Sequence, residues 1–158
     1  MVRTSNPLVE RLTFYWHRHW ANSREAVSPT QLLATQNVLF RKYADLAVNP
    51  DASFRDMTLE VSKDPSMLRY LNGESNVKGG PNENYGRELM ELFTLGVTHA
   101  ITGARNYTEA DVAQLAKALT GWYIDDKNPD SVTSLFDSEV SGPLLDRDVE
   151  MLRFATAG

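Results

Sequence analysis

Before residue 110, four polar residues stand immediately ahead of stretches with helically spaced apolar side chains: Asn6, Ser28, Asp64 and Thr108, the first three each followed by proline. Asn, Ser, Asp or Thr at an N-cap accepts a hydrogen bond from a backbone N–H that the helix leaves orphaned, and proline at the first helical position has no N–H to leave unpaired. These marks cut the chain into helices of modest length. No strand pair with a hairpin signal and no fixed-period repeat stands beside them, so the expected fold is all-α, an irregular array of about six helices.

The first helix is expected from Pro7 to about Ser23, with Val9, Leu12, Trp16 and Trp20 near one face and Leu8, Tyr15 and His19 widening it. A second follows Ser28-Pro29, carries Leu32, Leu33, Val38, Leu39 and Tyr43, and ends before Asn49-Pro50. Phe54, Met57 and Val61 mark a third, and Met67, Leu68, Tyr70 and Leu71 form the apolar face of a fourth, stopped by Asn72-Gly73. After a loop rich in Gly and Asn, residues 82–96 read as a fifth helix, with Tyr85, Leu89, Leu92, Phe93 and Leu95 toward a core and Gly96 as its stop. Thr108 opens a sixth in a capping-box pattern, with Val112, Leu115, Ala116, Leu119 and Trp122 as its stripe.

Periodicity fails after Tyr123. Residues 124–158 hold eight acidic against three basic residues and are rich in Ser and Asp, with one further turn suggested at Val149 to Phe154. The division is therefore a helical domain over residues 1–123 and a divergent, loosely ordered acidic tail over residues 124–158.

Charge and composition exclude several function classes. Residues 1–50 carry six Lys/Arg against three Asp/Glu and the remainder ten against eighteen, for a net charge of -5, and no basic run suits a nucleic-acid backbone. The chain has no cysteine, so a thiolate metal site and a cysteine nucleophile are both impossible. No stretch approaches the roughly 20 apolar residues of a membrane span, and the N-terminal residues lack the apolar segment of a signal peptide.

Two clusters of side chains could carry chemistry. Trp16-His17-Arg18-His19-Trp20 sets two histidines among aromatics, but residues two apart on a helix point about 200° from one another, so His17 and His19 cannot both face one metal. The plainer reading is one packed or surface histidine and one hydrogen-bonded core histidine. In Asn82 to Leu92, the spacing of Arg87, Glu88 and Glu91 allows carboxylates and a guanidinium to gather on one side, as an acid/base or hard-metal site needs, and equally describes a salt-bridged helix face. No Glu-x-x-His pair, Gly-x-Ser-x-Gly elbow, dinucleotide fingerprint or phosphate loop accompanies them, so no cofactor is named.

Taken in order, Phe14 to Trp20, Asp64 to Leu71, Pro81 to Gly96, Tyr107 to Val112 and Ala118 to Trp122 resemble a bacterial family, the one numbered 1800 among domains of unknown function. The resemblance covers most of residues 6–123. It implies a larger, predominantly helical protein of unassigned biochemistry, sometimes exported, with helical sequence on both sides of the portion present here. The expected partners are those flanking parts of the same domain or another bacterial protein, with no nucleic acid and no membrane span.

Three departures stand out. Gly86 replaces the alanine-like residue usual at its position, at about 0.5–1 kcal/mol in a helix interior. Thr98 to Arg105 looks like an insertion that would displace the sixth helix from the fifth, and the sequence from about Asp125 leaves the family pattern. The leading expectation is a structural or interaction module that packs through its aromatic first helix. The alternative is an enzyme that brings His17 or His19 together with Glu88 or Glu91 and Arg87.

Overall fold

A computed structural model describes residues 4–125 and 134–136. The expected acidic tail falls mostly outside the described residues, and the suggested turn at Val149 to Phe154 falls wholly outside them.

The described chain is helical in the order expected. Helices α1 (Pro7–His19), α2 (Thr30–Ala44), α3 (Phe54–Ser62) and α4 (Pro65–Tyr70) are followed by a 3₁₀ turn at Gly73–Ser75, then α5 (Glu83–Glu88) and α6 (Glu109–Ala118). The caps explain the starts. Asn6 accepts from the Val9 N–H, Ser53 from Asp56, Asp64 from Ser66 and Met67, and Asn82 from Asn84, while Thr108 and Asp111 exchange both bonds of a capping box. Helix α2 departs from the expected start: Pro29 holds the N-cap position and no side chain caps the helix.

The fifth helix is not a continuous α-helix. After Glu88 the chain widens into a π-helical turn over Leu89–Thr94, the Leu95 and Gly96 N–H groups both bond the Met90 carbonyl, and Gly96 ends the segment at φ +73. A π turn shifts its bonding partner by one residue and so breaks the three-and-four spacing on which the apolar stripe depends. Leu89 and Phe93 stay buried, whereas Leu92, expected in the core, is 61% exposed.

A small strand pair, unexpected from the sequence, closes the described structure. Trp122–Ile124 (β1) pairs antiparallel with Ser134–Phe136 (β2) in the register Trp122↔Phe136. A three-residue strand is too short for alternation to announce it.

The core joins every helix. Trp20, Phe40, Met57, Met67, Tyr85, Met90 and Leu115 are all buried in one cluster. Helices α5 and α6 approach unusually closely at Gly86, where a Cβ would stand 3.2 Å from the Ala116 nitrogen and 3.3 Å from the Val112 carbonyl oxygen. That contact accounts for the glycine, whose cost in helix propensity is offset by the closeness it permits. It also answers the insertion: Thr98 and Arg105 pair across an exposed loop, and α6 sits directly against α5. Across the same end, buried Asn76 donates to the Ala116 carbonyl and accepts from the Asn82 N–H, which ties the preceding loop to both helices.

Candidate functional site at the end of the first helix

The residues that the sequence singles out fall into four surroundings. His17 lies in the seam between α1 and α2. Arg41 makes a two-pronged pair with Glu10 at 2.6 Å and donates its Nε–H to the Asn37 amide oxygen, so the Asn37 Nδ2 donates at 2.8 Å to His17 Nε2. That nitrogen is then an acceptor and the ring is neutral. Burial, and then the charge of Arg41, holds His17 below the usual histidine range. Phe40 meets its ring edge to face at 4.8 Å.

Glu91 accepts from the Tyr107 hydroxyl at 3.1 Å, and Arg87 forms a two-pronged pair with Glu109 at 3.2 and 2.7 Å, with Glu83 at 3.7 Å. These contacts link α5 and its π turn to α6 and to the residues just before it.

His19 and Glu88 have a different setting. His19 Nε2 stands 2.8 Å from the Phe93 carbonyl oxygen, which can only accept, so Nε2 carries a proton and donates it there; in the neutral tautomer that this bond selects, Nδ1 is an acceptor. Around it lies an aromatic cluster in which Trp20 stacks on Phe93 at 4.7 Å and Trp16 on Phe54 at 5.9 Å. Neither buried indole N–H finds an acceptor among the described residues. Beside the cluster an open pocket of about 340 Å³ is lined by Arg18, His19, Ala21, Tyr70, Leu71, Glu88, Leu92 and Phe93. Arg18 is exposed and Glu88 half-buried, and neither is engaged by a hydrogen bond or ion pair with any described residue.

Of the five residues in question, the structure therefore brings His19 and Glu88 into one pocket and places His17, Arg87 and Glu91 in structural contacts elsewhere. Among the described residues, no group of three or more His, Asp or Glu side chains is placed to hold a metal ion. Arg18 and Tyr70 join the pocket without having been singled out. No local pattern could have found them, because the pocket joins α1, α4 and the α5 segment, which are far apart in sequence.

The outer face of α1 continues from this pocket. Leu8, Phe14 and Tyr15 are 62%, 67% and 55% exposed. Leu8 and Tyr15 were expected to widen the buried stripe, but only the edge carrying Val9, Thr13 and Trp20 is packed. Glu10, Arg11, Phe14, Tyr15 and Arg18 outline a shallow trough of about 450 Å³ along the helix. Arg11, like Arg18, forms no ion pair with any described residue.

A family model described as Protein of unknown function (DUF1800) matches residues 1–144. No curated protein and no solved structure matches the chain.

Proposed function

The chain belongs to that family, and from this premise we propose that it is a helical interaction module whose docking surface is the outer face of α1. The observation that carries the reading is the exposure of Leu8, Phe14 and Tyr15 beside two guanidinium groups, those of Arg11 and Arg18, without partners among the described residues. Large apolar side chains cost solvation when left in water, and aromatic residues flanked by arginine are the composition of binding-surface anchors. The occupant that fits is a protein surface with an apolar centre and a carboxylate rim, the rim facing Arg11 and Arg18. No described helix is long and apolar enough to cross a membrane.

Without such a partner the face should drive weak self-association. Sedimentation velocity on the full chain over rising concentration, beside a Phe14→Ser/Tyr15→Ser variant, tests this. The expected result is concentration-dependent association in the wild type that the variant loses by about tenfold or more. A wild-type chain that stays monomeric and binds no apolar dye would contradict the proposal. A tight, saturating dimer abolished by the variant would make the occupant a second copy of this chain in place of a different protein.

The enzymatic alternative has support at one place only, the shared pocket of His19 and Glu88. Arg87 and Glu91 are engaged elsewhere, so a reaction here would have to proceed without them.

A further inference from the structure

Two opposite charges line the pocket at the end of α1, and neither is paired with the other or with anything else described. A half-buried carboxylate such as Glu88 has given up part of its hydration, and a folded chain ordinarily recovers that loss with a donor. Elsewhere in this chain it does so: Glu10, Glu60, Glu74, Glu91 and Glu109 all have side-chain donors. Glu88 departs from that pattern, in a pocket that also holds Arg18, likewise without a partner among the described residues.

We propose that this pocket binds a small zwitterion, a molecule bearing an ammonium and a carboxylate with an apolar side group, of the amino-acid or short-peptide class. Glu88 takes the ammonium, and His19 Nδ1, the acceptor left by the bond from Nε2 to Phe93, is a second acceptor for it. Arg18 takes the carboxylate, for which its planar fork of donors is suited. Tyr70 adds a hydroxyl, and Leu71, Leu92 and Phe93 supply the apolar wall. The pairing of charges also sets what is refused: a simple anion meets Glu88, and a simple cation meets Arg18. At about 340 Å³ the pocket is of the size that small ligands occupy. Exposed Leu92 belongs to the same wall, and the π turn that rotates it out of the core brings it there.

The site shares Arg18 with the docking face and differs from it in its other residues. Phe14 and Tyr15 line the trough and not the pocket, and Glu88 lines the pocket and not the trough. Titration calorimetry on the full chain with L-leucine, L-phenylalanine and leucyl-leucine is the test, with N-acetyl-L-leucine lacking the ammonium and L-leucinamide lacking the carboxylate. At least one of the three zwitterions should bind saturably, and each blocked derivative should bind at least about tenfold more weakly. Glu88→Gln, nearly isosteric, and Arg18→Gln, which removes the guanidinium and its charge, should each weaken that ligand about tenfold or more, while Phe14→Ser leaves it unchanged. Whether a free amino acid or the dipeptide binds more tightly separates the two sources of the same chemistry. No saturable binding of any of the three up to about 10 mM would overturn the proposal, as would blocked derivatives that bind equally well or affinity indifferent to both pocket variants.

Discussion

Two polar regions of this molecule are arranged in opposite ways. At the start of α4, Asp64 is 4% exposed and sits in a closed network: its Oδ1 accepts from the Ser66 and Met67 N–H groups and from the Gln36 amide, and Asn22 donates both to Gln36 and to Ser66. At the end of α1, Arg18 and Glu88 line a shared pocket, and among the described residues neither has a partner and the buried Trp16 and Trp20 indole N–H groups have no acceptor. A chain stabilises itself by satisfying buried polar groups, so the closed corner is where stability lies. Groups left open gain nothing for the fold as described, and they mark where another molecule would complete it.

The largest expected effect lies in the closed corner. Asp64→Ala removes an N-cap and leaves the Gln36 amide without its acceptor, so urea denaturation should show a loss of about 3 kcal/mol. A loss below about 1 kcal/mol would mean that the corner is not the stabilising region and would break the contrast.

How far this contrast could be read in advance differs between the two regions. The cap itself was legible at Asp64-Pro65, as were those at Asn6-Pro7 and Thr108 and the stop at Gly96, because caps are matters of three or four neighbouring residues. The burial of Asp64 was not, since Asn22, Gln36 and Ser66 converge on it only through tertiary packing. The same limit hid the pocket, whose members come from three helical segments, and the outward turn of Leu92, which follows from a π turn with no periodicity signature. Helical spacing also placed Leu8 and Tyr15 on the buried stripe, although α1 packs along a narrower edge. Family membership was legible because whole ordered motifs carried it.

A second effect concerns pH. Burial, partly offset by the bonds from Met67, Ser66 and Gln36, pushes the Asp64 carboxyl up to about 7. Its folded-state value lies above the unfolded one, so between about pH 4 and 7 the folded chain binds the extra proton, and this stability is lost as pH rises through about 7. His17 acts in the other sense: held below the usual range, it costs stability as pH falls and the unfolded chain takes up the proton first. Asp64→Asn keeps a capping oxygen and removes the titration. The stability difference between wild type and Asp64→Asn should therefore move against the wild type by about 2 kcal/mol from pH 5 to pH 8, read by urea denaturation at both. A constant difference would show that Asp64 titrates as an ordinary carboxylate and that the corner is wetter than described.

A smaller effect tests the helix contact behind the pocket segment. Gly86→Ala gains helix propensity but sets its Cβ at 3.2–3.3 Å from the α6 backbone, and the net result should be a loss of about 1 kcal/mol by thermal unfolding. A stabilised variant would mean that α6 gives way easily, leaving the glycine without a packing reason.

The open region should respond least. If Phe14, Arg18 and Glu88 are kept for binding, the fold should hardly notice their loss. The most direct measurement is urea denaturation of Phe14→Ser, Arg18→Gln and Glu88→Gln beside Asp64→Ala under one set of conditions. Unfolding free energies for the first three within about 0.5 kcal/mol of wild type, with Asp64→Ala far below, are the expected result. If any of the three costs as much as Asp64→Ala, the end of α1 is part of the structural core and the division between a closed, stabilising corner and an open, binding one is wrong.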